Sequence, residues 1–372
     1  MTSAFTVTAE EAGARLTVDL GAITRNYRTL AAMTAGAECA AVVKADAYGT
    51  GIEATGPALA AAGARTFFVA HVSEARRLRA VVPSATIYVL NGLAAEALDI
   101  YARHDLRPVL GSREEIACFA AFCAATGRRW PAAIHVDTGM NRLGLDLAEA
   151  ALVAEPGPQA LAFEPALLMS HLACADDPAH PLTNRQIDRF AQVRSLFPGI
   201  AASLANSAGC TLPAARHDLA RPGIALYGGR FRADLAPLEA IARLDAPLIR
   251  VRDVRAGDTV GYGATWTARR PSRIGIISVG YADGYLRMTS ASDARGGASV
   301  MVGGRACPLA GRVSMDLIAI DLTDAGAVKA GDLVTLIGDG IGVDDIAGAA
   351  GTIGYEMLTS LGRRYHRCYI GG

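Results

Sequence analysis

Between residues 38 and 227 the apolar positions fall into short runs rich in β-branched and aromatic side chains. Longer Ala-, Leu- and Arg-rich stretches of helical character separate them. The runs are Cys39 to Lys44, Thr66 to His71, Thr86 to Asn91, Arg107 to Gly111, Ala133 to Asp137, Pro165 to His171, Ala201 to Asn206 and Leu219 to Tyr227. Continuous apolar runs of this length suit strands buried on both faces, and helical connections make successive strands parallel. The alternation therefore predicts an α/β fold, a (β/α)8 TIM-like barrel. A doubly wound open sheet is the competing arrangement, but no Gly-x-Gly-x-x-Gly opens the first helix.

Beyond about Pro237 the helical periodicity fades, and short β-runs separated by Gly and Asp turns take over. The expected division is a barrel over 1–238 followed by a mostly β C-terminal domain over 239–372, with the extreme N-terminus free to join the β domain. Val254-Arg255-Ala256-Gly257-Asp258 and Val328-Lys329-Ala330-Gly331-Asp332 share one pattern and predict two similar hairpin turns. Gly338-Asp339-Gly340-Ile341-Gly342 lacks the Lys-Ser/Thr of a nucleotide loop, which leaves a turn as its reading.

Composition narrows the function. At 372 residues, with 51% hydrophobic and 19% charged side chains, the chain has ample material for a core and is too long for one average domain. Thirty-six basic and 36 acidic residues give a formal net charge of +0, so no overall field draws a nucleic acid or an anionic membrane. Met1 to Glu10 lacks the pattern of an export signal, and no apolar stretch approaches the roughly 18 residues of a span. A cytoplasmic protein is expected. The seven cysteines are scattered without a Cys-x-x-Cys pair and read as reduced thiols. His171 and Cys174 lack two further donors at suitable spacing, so no metal is expected.

In such a barrel the chemistry sits at the C-terminal ends of the strands. The residues there include Lys44, Asp137, His171, Asn206 and Arg221. Lys44 follows the apolar run Ala40 to Val43, where desolvation favours the neutral amine that a Schiff base needs. Taken alone, a lysine snorkelling from the barrel end is the simpler reading. Tyr48, Ser207 and the backbone at Pro222-Gly223-Ile224 change this, because barrel phosphate sites commonly follow the last two strands. A lysine beside a phosphate cradle points to pyridoxal 5'-phosphate.

The residues that carry a family resemblance extend over nearly the whole chain. They are Ala41 to Gly49, Asp137 to Gly144, Ser170-His171-Leu172, Asn206-Ser207, Arg221 to Ile224, Gly261 to Trp266, Gly280 to Tyr285, Gly311 to Asp316 and Tyr355 to Thr359. In order and at these spacings they resemble the bacterial alanine racemases. The resemblance implies that Lys44 carries pyridoxal 5'-phosphate and exchanges the α-proton on the D side, with Tyr262 as the base on the L side. Two bases are what racemisation demands, since one base returning the proton to one face preserves configuration. His171 and Arg221 would support Tyr262, and Arg221 would face the pyridine nitrogen. Tyr48, Asn206, Ser207, Gly223, Ile224 and Tyr355 would complete the cofactor site. Arg142 and the backbone at Met315 would hold the substrate carboxylate, while Tyr281, Tyr355 and Asp316 narrow the entrance. Tyr262 and Met315 would reach a neighbouring subunit's site, which implies a homodimer with shared active sites.

Taken singly, Tyr262 reads as a strand aromatic, Arg142 as a surface ion-pair residue, His171 as a core histidine and Met315 as a core methionine. Only together do they acquire these roles. Many members of the family carry a carbamylated lysine where His135 stands, so the expected brace of Arg142 is His135 itself or a bound anion, with no carbamate. Ser314 replaces a cysteine of some members. A D-alanine supply for the cell wall is the implied role. A serine or broad-specificity racemase and a pyridoxal-phosphate homeostasis protein are the alternatives, and a barrel decarboxylase would place a carboxylate where Arg221 stands.

Overall fold

A computed structural model describes residues 7–372. Met1–Thr6, part of the stretch read above as lacking an export signal, lies outside the described residues. The chain divides into two compact units. One comprises residues 23–47 and 51–239, the other residues 7–22, 48–50 and 240–372.

The first unit is the barrel. Seven strands form one parallel sheet in chain order: Ala41–Val42, Thr66–Val69, Thr86–Val89, Leu106–Leu110, Pro131–His135, Glu164–Met169 and Ala202–Ser203. Leu219–Ala220 pairs in parallel with Glu38–Cys39, which lies just before Ala41–Val42. Further bonds complete the circuit: Ala40 N–H to Ala220 O (2.9 Å), Val42 N–H to Pro222 O (3.1 Å) and Arg221 N–H to Ala205 O (2.9 Å). Thr66–Val69 is buried along its whole length, as a strand covered on both faces must be. The connecting helices are set by local signals. Ser112 accepts the Glu115 N–H at the start of Arg113–Thr126, and Gly127 ends that helix in the left-handed region. Asp146 and Glu149 form a capping box on Leu147–Ala154.

The strands are shorter than the apolar runs. The run read as a strand from Leu219 to Tyr227 stops at Ala220, because Pro222 has no N–H to donate, and Ile224–Tyr227 turns into a 3-10 helix. Each polar residue read as a strand end therefore lies past its strand, in the loop that follows.

The second unit is an eight-stranded, mostly antiparallel sheet. Its longest strand, Ala242–Val254, shifts register twice and pairs with Leu333–Ile337 in its first half and Ser272–Ile277 in its second. Arg15–Asp19 lies between Ala242–Val254, antiparallel, and His366–Ile370, parallel. Two helices, Val343–Ala350 and Gly354–Ser360, interrupt a region whose sequence reads as β-runs and turns. The repeated pentapeptide makes the same turn twice. Asp258 accepts the Arg255 N–H (2.8 Å) and Asp332 the Lys329 N–H (2.9 Å). Neither turn closes a hairpin, since Thr259–Val260 pairs with Trp266–Thr267, and Leu333–Ile337 with Ala242–Val254 and Ser299–Val302. The aspartate bond explains this correction: it fixes the turn and leaves strand pairing to packing. Gly338 and Ile341 exchange backbone hydrogen bonds, forming the turn read from the glycine-rich segment. No helix among the described residues is long and apolar enough to cross a membrane.

Candidate active site

Lys44 opens a turn of left-handed helix, Lys44–Tyr48. Ala45, Asp46 and Ala47 have φ of 53°, 57° and 53°, and Tyr48 has φ 52°. L-residues avoid this region because Cβ crowds the following carbonyl. At roughly 1–2 kcal/mol each, four such residues cost about 4–8 kcal/mol, which the surrounding structure has to offset. The Lys44 side chain is partly buried, and burial lowers its pKa. Arg142 adds to that lowering and Glu74 opposes it.

Arg221 is buried and aligned by neutral groups. It donates to Ser170 O (2.6 Å) and to the Ser203 hydroxyl, which itself donates to Leu219 O (2.6 Å). Its guanidinium lies over the Phe68 ring at 5.7 Å. Burial pulls its pKa down to about 10, so it stays cationic at neutral pH, yet it forms no ion pair among the described residues. His171 is held well below the usual imidazole range by burial and then by Arg221, Arg142, Lys44 and His135. His135 is pushed down to about 4 by burial and Arg221. Both rings are neutral at pH 7. The arrangement is a cation-rich cluster of side chains around an amine, suited to an anionic ligand.

The loop that carries Arg142 is fixed by Asp137. Its carboxylate accepts the N–H groups of Gly139 (2.7 Å) and Met140 (2.8 Å), and Leu145 N–H returns to His135 O (2.9 Å). Gly144 is needed where the loop closes: its φ is +112°, and a Cβ there would sit 2.6 Å from Asp137 N. Asn206 bridges two segments, donating to Leu172 O (3.2 Å) and accepting from Gly209 N–H (2.9 Å). The Ser207 hydroxyl accepts from Gly223 N–H (2.8 Å) and Ala225 N–H (3.4 Å), at the mouth of the 3-10 helix that Ile224 begins.

Ser203 and Gln186 carry no signal in the motifs, and Ser170 and Thr138 lie within them but without a role of their own. Gln186 is fully buried. It accepts from Ala173 N–H (2.8 Å) and donates to His171 O (2.8 Å) and the Thr138 hydroxyl (3.2 Å). Thr138 in turn pairs with the Ser170 hydroxyl at 2.8 Å. A glutamine on the apolar side of the helix Pro181–Leu196 is the signal that could have found this network.

The remaining candidates belong to the other unit. Tyr262 begins a 3-10 turn flanked by Gly261 and Gly263, both with positive φ, and is 72% exposed. Met315 is 53% exposed. Its carbonyl accepts the Ala282 N–H (3.0 Å), and the backbone of Gly280 lies so close that a Cβ would fall 2.1 Å from that oxygen. Tyr48 is buried, with its ring centroid 6.2 Å from that of Tyr355. Asp316 pairs with Arg364 at 2.8 Å, and Tyr281 is exposed.

The family description "Alanine racemase, N-terminal domain" matches residues 18–231, and "Alanine racemase, C-terminal domain" matches residues 241–369. A curated alanine racemase of Methylobacterium sp. (strain 4-46) is 55% identical over 96% of this chain and 98% of its own length. The crystal structure of alanine racemase from Bartonella henselae with covalently bound pyridoxal phosphate superposes with a TM-score of 0.91. It is 40% identical and covers 96% of this chain and 99% of its own. The biosynthetic alanine racemase from Pseudomonas aeruginosa gives 0.88 at 41% identity, with coverage of 96% and 99%. This chain belongs to the alanine racemase family.

Proposed function

We propose that this chain interconverts L-alanine and D-alanine with pyridoxal 5'-phosphate held on Lys44. The observation that carries the reading is an amine with lowered proton affinity set among Arg142, His171, His135 and Arg221. The donor set fits the cofactor. Arg221 is a buried cation bonded, among the described residues, to neutral groups, and the Ser207 hydroxyl with the Gly223–Ile224 turn suits a phosphate. When bound, the cofactor withdraws electrons from the substrate α-carbon and makes its proton acidic.

The chain's own residues would do the rest. Lys44 moves the proton on one face of the α-carbon, and Tyr262 on the other. Neutral His171 and cationic Arg221 would orient that exchange, and Arg221, which does not readily give up a proton, would favour proton exchange over decarboxylation. Arg142 and the Met315 backbone bind the substrate carboxylate. Tyr48, Asn206, Ser207, Gly223, Ile224 and Tyr355 hold the cofactor. The exposure of Tyr262 and Met315 supports a homodimer in which both come from the partner subunit. The barrel and the β-rich unit act as its two domains, divided near residue 239, with the strand Arg15–Asp19 joining the second. A cytoplasmic enzyme supplying D-alanine to the cell wall fits this reading.

The test is purified protein with L-alanine, L-serine and L-lysine as separate substrates, followed by chiral analysis. D-alanine should form. Lys44→Ala should lose the visible absorbance of lysine-bound cofactor, whereas Tyr262→Phe should keep it and lose racemisation. Full rates in both directions for Tyr262→Phe would sink the two-base assignment, and absence of D-alanine the whole reading.

A further inference from the structure

The left-handed turn after Lys44 is made of Ala45, Asp46, Ala47 and Tyr48, none of which favours that backbone, so its hold has to come from elsewhere. Backbone bonds from Ala47 N–H to Val43 O (3.0 Å) and from Gly51 N–H to Asp46 O (2.9 Å) supply part of it, and one helix, Val72–Val81, supplies another part. The Glu74 carboxylate accepts the Asp46 N–H (3.3 Å) together with those of Ala70 (2.8 Å) and His71 (3.1 Å), joining the turn to the end of the next barrel strand. Three residues further along the same helix face, Arg77 donates to Asp46 Oδ1 (2.7 Å) and to both oxygens of Glu53 (2.6 Å each). Asp46 Oδ1 also accepts the N–H of Ile52, the first residue of the helix Ile52–Ala61. The backbone and the side chain of Asp46, two positions past Lys44, are thus gripped by two charged residues of one helix.

We propose that Glu74 and Arg77 form a clamp that keeps this turn left-handed and thereby sets where the Lys44 amine points. They are positioning residues and act through the turn. Glu74 has a second effect, because its charge opposes the influence of burial and Arg142 on the Lys44 amine. A capping-box role alone would account for the bond from Glu74 to His71 N–H but for nothing at Asp46 or Lys44. The catalytic meaning of the clamp rests on the reading of Lys44 as cofactor anchor.

The experiment uses the full chain freed of cofactor with hydroxylamine, which takes the aldehyde as its oxime and returns the Lys44 amine. Hydrogen exchange is followed over residues 44–51, and the titration midpoint of Lys44 is read from its rate of acylation against pH by mass spectrometry. Glu74→Ala and Arg77→Gln should each speed exchange in this segment about ten-fold or more, the effect of losing one charge-assisted bond, while the helix Arg113–Thr126 keeps its protection. Glu74→Gln, which retains an acceptor, should lower the Lys44 midpoint, because a favourable negative charge is gone. Unchanged exchange in Glu74→Ala and Arg77→Gln, or an unchanged midpoint in Glu74→Gln, overturns the proposal. Should Glu74→Ala fail to fold, Arg77→Gln and Glu74→Gln carry the two readouts. Borohydride reduction of the cofactor-loaded protein followed by peptide mapping tests the anchor separately: a tag on any lysine but Lys44 refutes the anchor and leaves the clamp standing.

Discussion

His135 offers a test in which folding and site chemistry share one proton. In the unfolded chain its imidazole titrates near 6.5, and in the fold near 4, mainly through burial and then Arg221. As pH falls below 6.5 the unfolded chain takes up a proton that the folded chain refuses, so acid favours unfolding. Nothing is lost at pH 7, and the full loss is reached below about 4. A difference of about 2.5 between the two pKa values, at about 1.36 kcal/mol each, is about 3 kcal/mol, or about 2–3 kcal/mol once solvent near the partly buried ring is allowed for. The perturbation is His135→Gln, which cannot titrate, and the assay is urea unfolding at pH values from 7.5 to 4. His171 and the paired carboxylates lose stability in both proteins, so the difference between the curves isolates this ring. The variant should lose about 2–3 kcal/mol less than the parent protein over that range. Parallel curves would refute the argument. A neutral ring at pH 7 also means that His135 brings no charge to Arg142.

Three further outcomes follow from the geometry. Gln186→Leu strips partners from the Ala173 N–H and the His171 carbonyl, at about 1–3 kcal/mol for each orphaned group; denaturation should show a loss of about 2–4 kcal/mol, and a loss below about 1 kcal/mol would mean that water replaces the glutamine. Gly280→Ala forces the Ser314–Met315 backbone to yield around a Cβ that would otherwise lie 2.1 Å from the Met315 oxygen. Steady-state kinetics should show kcat/KM for alanine falling about ten- to hundred-fold, as misplacement on this scale does elsewhere; unchanged kinetics would detach Met315 from the substrate. Asp137→Ala removes two bonds from the loop bearing Arg142. KM should rise with kcat less affected, and an equal fall in both would point to a role beyond carboxylate binding.

The barrel was legible because its strands are buried on both faces and so carry long apolar runs. Strand ends were less so: Lys44 reads as the last residue of a strand, whereas the strand stops at Val42 and Lys44 begins a left-handed turn. Nothing in Ala-Asp-Ala signals that backbone, since alanine favours ordinary helix and part of the constraint is supplied by Glu74 and Arg77 some thirty residues on. The cofactor and substrate candidates came from motif order. Ser203 was invisible because its meaning lies in partners that are distant in sequence, and Gln186 showed only as a polar residue on an apolar helix face. The two helices after Val343 were missed since each is short and contains glycine, so periodicity had little length in which to appear.

The strand Arg15–Asp19 lies between Ala242–Val254 and His366–Ile370. Both of its partners follow the barrel in chain order, so the residues up to 239 are synthesised before either of them. It waits for its mates until Ala242–Val254 and then His366–Ile370 emerge, and by then every residue of the barrel is available to fold. Its exposed N–H and C=O groups are then open to pairing with another nascent chain. The barrel can thus mature while the sheet still lacks strands.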